Sequence, residues 1–361
     1  MLVSAVLAFL VPFELFLFSY AFLGPLHYLT EITWLKKRDY FTNDKKDYVF
    51  LVIPCLVLSF ISLIAAYRNT ALGGAFYEFC TSVFGEHFLD FSTVMIYFAF
   101  MAALAFVIFK NTVTKIIFLL VTFFMGFVLL KVSTDTLNTD PGKTSFFILF
   151  FAIFLPTLIH VFIFTALFII QGALKNKSAT GIASVVVFVA CALSFFIWKP
   201  VFGFYNVTNY ARDAVSMDGR GFVSLNAAFI TLFNMGKVTM ETLFQDKVGL
   251  SVGRFIAFAY TYHYLNWFSK TSVIKWHQVP RNWLVTVILL WVLSVVLYVY
   301  NYKTGLMALY FLSMLHVFLE FPLNYRSVIG IGQELKHFTG FSKAQGSGQS
   351  MRGGPATKQS R

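Results

Sequence analysis

The stretch GPLHYLTEITWL, Gly24 to Leu35, decides how the whole chain is read. It lies in a long apolar run and ends against Lys36, Lys37 and Arg38. It carries His27 and Glu31 at i and i+4, a spacing that puts both side chains on one helical face. In water such a pair would be ordinary. In a bilayer an ionisable pair is costly and marks a functional site by default. What surrounds the stretch is therefore the first question.

Composition answers it. The chain has 361 residues, of which 58% are hydrophobic and 12% charged. Soluble domains carry about 25% charged residues. A chain this apolar cannot cover itself with polar surface, so lipid must be its solvent. The 46 Phe residues suit lipid contact and also suit the wall of a site for a long apolar substrate. The net charge of +12 is scattered between apolar runs, with no basic patch interleaved with stacking aromatics. That excludes a nucleic-acid partner and leaves Lys and Arg as topology determinants facing anionic lipid. Cys55, Cys80 and Cys191 form no CxxC, so neither a disulfide framework nor a thiolate metal site is expected. No removable signal peptide is expected at the N-terminus, which lacks a positive n-region and a small-residue cleavage site.

A spanning helix needs about 20 apolar residues. Nine such spans are expected, at 13–35, 48–66, 92–109, 112–130, 145–171, 181–198, 250–268, 283–300 and 304–323. Pro12 suits a first helical turn, and Gly24-Pro25 should kink the first span. The expected fold is all-α, a polytopic integral membrane bundle. Residues 1–323 form the transmembrane domain, with a long, partly structured connection at 200–253. Residues 324–361 form a basic cytoplasmic tail, disordered at its Gly/Ser-rich end. Most of the 28 Lys and Arg fall on one side, which gives an N-out, C-in orientation in a bacterial inner membrane.

Four histidines fall in spans: His27, His160, His263 and His316. In the nine-span scheme their helices all run from outside to inside. Each His lies about 12–15 residues in, a shared depth of roughly 18–22 Å. Imidazoles from four helices in one layer are what a metal centre in a bundle core requires. Glu31 follows His27 by four residues and Glu320 follows His316 by four, so each Glu can accept the second N–H of its histidine. His263 shares a face with Tyr260, Asn266 and Trp267; the first two are expected beside the metal site and Trp267 in a substrate wall. His87, His277 and His337 fall in predicted loops and are not assigned as ligands. The sequence contains no HxxxH, HxxHH or HExxH, which excludes the membrane di-iron desaturase pattern and zincins. No span carries two His at bis-haem spacing, although one haem held by two of the four is compatible with the pattern.

Gly24-x-x-His27 followed by Glu31 resembles the G-x-x-H-G-x-x-D segment of the Brp/Blh membrane family. Tyr28 stands where that family has Gly, and Glu31 where it has Asp. Members of that family are bacterial β-carotene 15,15′-dioxygenases. The resemblance implies a polytopic protein whose His-ligated non-haem iron splits a carotenoid with O2, with further His on later helices.

Three function classes follow. The first is an intramembrane oxidoreductase or oxygenase with non-haem iron on His27, His160, His263 and His316, acting on a carotenoid- or lipid-like molecule. The second is a structural or assembly protein with no metal or haem, in which the histidines only bind helices together. The third is a proton-coupled transporter using Glu14, Glu31, Glu320 and the histidines as a relay. Oligomeric state is not legible.

Overall fold

The computed structural model describes residues 1–85, 88–139, 145–200, 202, 205–216, 222–275 and 279–338. Among them there is no strand. His87, His277, the Pro141-Gly142 turn and the chain end predicted to be disordered lie outside the described residues.

Seven helices are long and apolar enough to cross a membrane by length and composition. They are α4 (Asp47–Tyr67), α6 (Phe91–Ile108), α7 (Thr112–Thr139), a π-helical segment (Ile148–Phe164) continuous with α8 (Thr165–Lys175), α9 (Ala179–Ile197), α15 (Arg281–Tyr300) and α16 (Tyr302–Phe338). The chain is thus a multi-pass, membrane-type helical bundle. The most apolar windows of α7 and α15 are only 17% buried, against 61% for the window containing α6. α7 turns Ile116, Ile117, Leu120 and Phe124 outward, and α15 does the same with Leu289, Leu293 and Val296. In lipid these faces need no protein partner.

The other two predicted spans are helical but less apolar. Residues 13–35 form α2 (Pro12–Phe18), a π turn (Ser19–Leu23) and α3 (Gly24–Lys36). Pro12 occupies the first turn of α2, where its missing N–H costs nothing. The predicted kink at Gly24 is a π turn just before it, and the Phe22 carbonyl there accepts from Trp291 Nε1 at 2.8 Å. α13 (Lys247–Ser269) covers the span predicted at 250–268. Every residue from Gly249 to Tyr264 is buried. These two segments are less apolar because they face protein rather than lipid. Ser19 and Thr261 share a hydrogen bond of 2.8 Å between them. Phe13 closes on Gly253, where an added Cβ would meet its ring at 3.0 Å.

Shorter pieces complete the fold. α1 (Leu2–Leu10) precedes α2. α5 (Ala71–Phe84) replaces most of the loop expected at 68–91, started by the Thr70 side chain on the Gly73 N–H and stopped by Gly85 at φ 86°. The 200–253 connection holds α10 (Asn209–Ser216), α11 (Phe222–Leu232) and α12 (Met240–Phe244). It is tied down where Tyr205 donates to Glu14 Oε2 at 2.9 Å and Thr208 N–H to Glu14 Oε1 at 3.0 Å. Burial, and then the Glu14 carboxylate, push the Tyr205 phenol well above its usual pKa. α14 (Thr271–Ile274) follows α13.

Two predicted boundaries are corrected. α7 runs through the segment 132–139 expected to turn, and its hydroxyls there are satisfied within the helix, as in Ser133 to Leu129 and Thr136 to Val132, both 2.7 Å. The helix that carries the last predicted span does not end at 323. α16 continues for 37 residues to Phe338, so the start of the predicted tail is helical and His337 lies in its final turn. At 1.5 Å per residue that helix is about 55 Å long, well beyond the ~30 Å hydrocarbon core.

Candidate metal centre

Apolar cores lie on two sides of the bundle. One gathers α2, α13, α9 and α11; the other gathers α4, α6 and α16. The four span histidines meet between them, from α3, the π segment, α13 and α16. All four are buried. Their rings form a closed circuit. The centroid distances are 4.8 Å for His27–His263, 4.9 Å for His263–His160, 5.2 Å for His160–His316 and 5.3 Å for His316–His27.

At the centre of the circuit the Nε2 atoms of His27 and His263 are 3.2 Å apart. Two nitrogens bound to one tetrahedral metal at 2.0–2.1 Å would be about 3.3 Å apart. Ligand atoms of His27, His160 and His263 lie within 4.8 Å of one another, and so do those of His27, Glu31 and His316. The two groups share His27.

The surrounding contacts orient the rings. Glu31 Oε2 is 3.0 Å from His27 Nε2, on the predicted i, i+4 face but at the nitrogen that also meets His263, not at the second nitrogen Nδ1 as expected. Glu320 departs from expectation: its Oε2 is 3.3 Å from Nδ1 of His160, across the bundle, not beside His316 on its own helix. His316 Nδ1 instead faces the Leu312 carbonyl at 3.3 Å. The second nitrogen of His263 belongs to Thr165, whose Oγ1 is 2.9 Å from Nδ1. Sequence reasoning missed Thr165, which lies one turn beyond His160 where the π segment becomes α8.

Of the other residues singled out, Trp267 stacks edge-on to His27 at 5.6 Å and donates from Nε1 to Thr30 Oγ1 at 3.0 Å. It packs behind the ring and is not among the residues around the cavity described next. Tyr260 lines that cavity and packs at 6.2 Å on Tyr264, a neighbour of His27. Asn266 is only partly buried, and its carbonyl accepts from Ser269. Lys270, just past α13, was not foreseen. Burial pushes its ammonium below the usual Lys range, and the carboxylates of Glu320 and then Glu31 oppose the shift.

His27 Nδ1 and His160 Nε2 make no hydrogen bond, and Oε2 of Glu31 and of Glu320 reach only the imidazole nitrogens just described. An unsatisfied buried polar group costs about 1–3 kcal/mol. Such a cluster is costly as a purely structural device. A divalent cation accepted by imidazole and carboxylate would satisfy the donors facing the centre, so the residues fit a metal.

A cavity of about 470 Å³ opens onto the centre. His160, His263 and His316 form its floor, with Tyr28 and Tyr264 beside them. Tyr28 stacks on His316 at 4.5 Å and meets the Tyr264 hydroxyl at 3.4 Å. The walls are mainly apolar, from Ile96, Ile153, Leu306 and Met314.

No family model, curated protein or solved structure matches this chain.

Proposed function

We propose that the chain is an intramembrane oxidoreductase of the oxygenase type, with non-haem iron held by His27, His160, His263 and His316 and with a lipophilic substrate. The observation that carries the reading is the closed circuit of four buried imidazoles at the foot of a largely apolar cavity. Imidazole-rich sites suit iron, and bound iron would supply binding and activation of O2. The likeness of residues 24–31 to the Brp/Blh segment supports the same chemistry. A haem is disfavoured, because a porphyrin must lie between two axial imidazoles and here the rings themselves close that space.

Each residue then has a task. Glu320 holds the ring of His160, Glu31 stands on the ligating side of His27 within reach of the same cation, and both balance its charge in a low-dielectric site. Thr165 fixes the tautomer of His263, leaving its Nε2 for the centre. The apolar walls exclude water and hold the substrate against the three histidines of the floor. Nine crossings, with α2–α3 and α13 as the two inner ones and the N-terminus outside, follow from the same scheme.

The test is nitric oxide, an O2 surrogate. Protein loaded with Fe(II) should give a high-spin iron–nitrosyl EPR signal, lost in His160→Ala. Iron-loaded protein that binds no nitric oxide would overturn the oxygenase reading.

A further inference from the structure

The cavity above the histidines adjoins another. It shares Ala66 and Lys303 with a second cavity of about 570 Å³ at the end of the bundle where α4 stops and α16 starts. The second cavity is more polar than the first, with Asn69, Thr70, Asn301 and Thr304 beside Tyr67 and Tyr300. Its frame is built rather than frayed. Tyr67 and Thr304 hydroxyls meet at 3.3 Å, and Asn301 Oδ1 accepts from the Thr304 N–H at 2.9 Å. The Lys303 ammonium lies 5.3 Å from the centre of the Tyr67 ring, at the junction between the two cavities.

The passage is therefore graded: polar at its mouth, a cation at its neck, apolar along its shaft, and imidazole at its floor. From Lys303 to His316 along α16 is about 20 Å. One leaflet of a bilayer is half of the ~30 Å core, so this depth matches a single acyl chain with its head at the neck. A rigid polyene long enough to cross both leaflets exceeds it.

Building on the iron-oxygenase reading, we propose that the substrate is a single-chain amphiphile with an anionic head, a fatty acid or a lysophosphatidic acid, which enters head-last. Lys303 holds the head and the chain runs down to the histidines. The carotenoid expected from the Brp/Blh resemblance is replaced by a lipid of one chain.

Binding to the full-length protein in detergent tests this, with radiolabelled palmitate as probe and metal content measured on the same samples. Palmitate should bind at one per chain. Lys303→Gln should weaken it about tenfold, the worth of one charge-assisted hydrogen bond. The neutral hexadecanol should bind equally well to both forms. Ala152→Phe, which fills the shaft, should abolish both while Lys303→Gln keeps its metal. Displacement of palmitate by lysophosphatidate at lower concentration would assign a phosphate head, and by no concentration a carboxylate; either supports the proposal. Displacement by β-carotene, or palmitate binding indifferent to Lys303→Gln, would overturn it. Palmitate binding to protein that takes up no iron when offered Fe(II) anaerobically would uphold this inference while removing the iron reading.

Discussion

His263 Nε2 lies 3.2 Å from His27 Nε2, although 236 positions separate the two residues. The contact joins the two segments that fall short of spanning hydropathy, α3 and α13. The two nitrogens are close enough to share one metal, so the pair should act as a unit. Replacing either by Ala should therefore remove most metal binding, and the double replacement should add little to the loss. Metal retention after dialysis of the three variants measures this. Additive losses would show that the two rings act separately.

The carboxylates should tune the centre rather than make it. Glu320→Gln should weaken metal affinity by about 10- to 100-fold, the range for removing a group that orients a ligating histidine, and Glu31→Gln by at least as much, because Glu31 stands at the nitrogen of His27 that faces the centre. Because Glu320 faces His160 and not His316, Glu320→Gln should have almost no further effect in a His160→Ala background. Competition with a chelator of known affinity gives both numbers.

Gly24 permits the close packing of Tyr28. A Cβ added at Gly24 would stand 2.7 Å from the Tyr28 hydroxyl and 3.4 Å from that of Tyr264. Gly24→Ala should thus push Tyr28 off His316 and destabilise the protein by about 1–3 kcal/mol. Adding Tyr28→Phe, which removes the clashing oxygen, should restore most of that loss. Thermal unfolding in detergent reads both variants.

Away from the centre, Lys115 reaches Asp47 with both carboxylate oxygens in range, at 2.7 and 2.9 Å, and both side chains are buried. Lys115→Ala strands a buried carboxylate and should cost about 3–5 kcal/mol. Lys115→Met with Asp47→Leu should return to near wild-type stability, since an apolar pair suffers no desolvation. Denaturation midpoints of the single and double variants decide it.

The class of fold was legible because lipid makes a strong demand: composition and 20-residue apolar runs leave little else. By sequence, residues 13–35 and 250–268 read as ordinary spans; the structure shows them facing protein, where residues such as Ser19, Thr261, His27 and His263 lower their hydropathy. Hydropathy could not place helix ends. α7 and α16 continue past their apolar stretches because hydrophilic residues can stay helical outside the hydrocarbon core. Within the site, the His27–Glu31 contact follows from spacing on one helix. The Glu320–His160 and Thr165–His263 contacts cross between helices or turn on the π segment, and no local spacing encodes them. The π segment changes which residues share a face, so a 3.6-residue wheel misplaces the neighbours of His160.

The most direct measurement is the metal content of protein purified without added metal and without immobilised-metal chromatography, together with its X-ray absorption spectrum. The account predicts about one iron per chain, with a first shell dominated by imidazole nitrogen. Protein that is fully folded, takes up no iron even when offered Fe(II) anaerobically, and is unchanged by replacing His27, His160, His263 or His316 would contradict it.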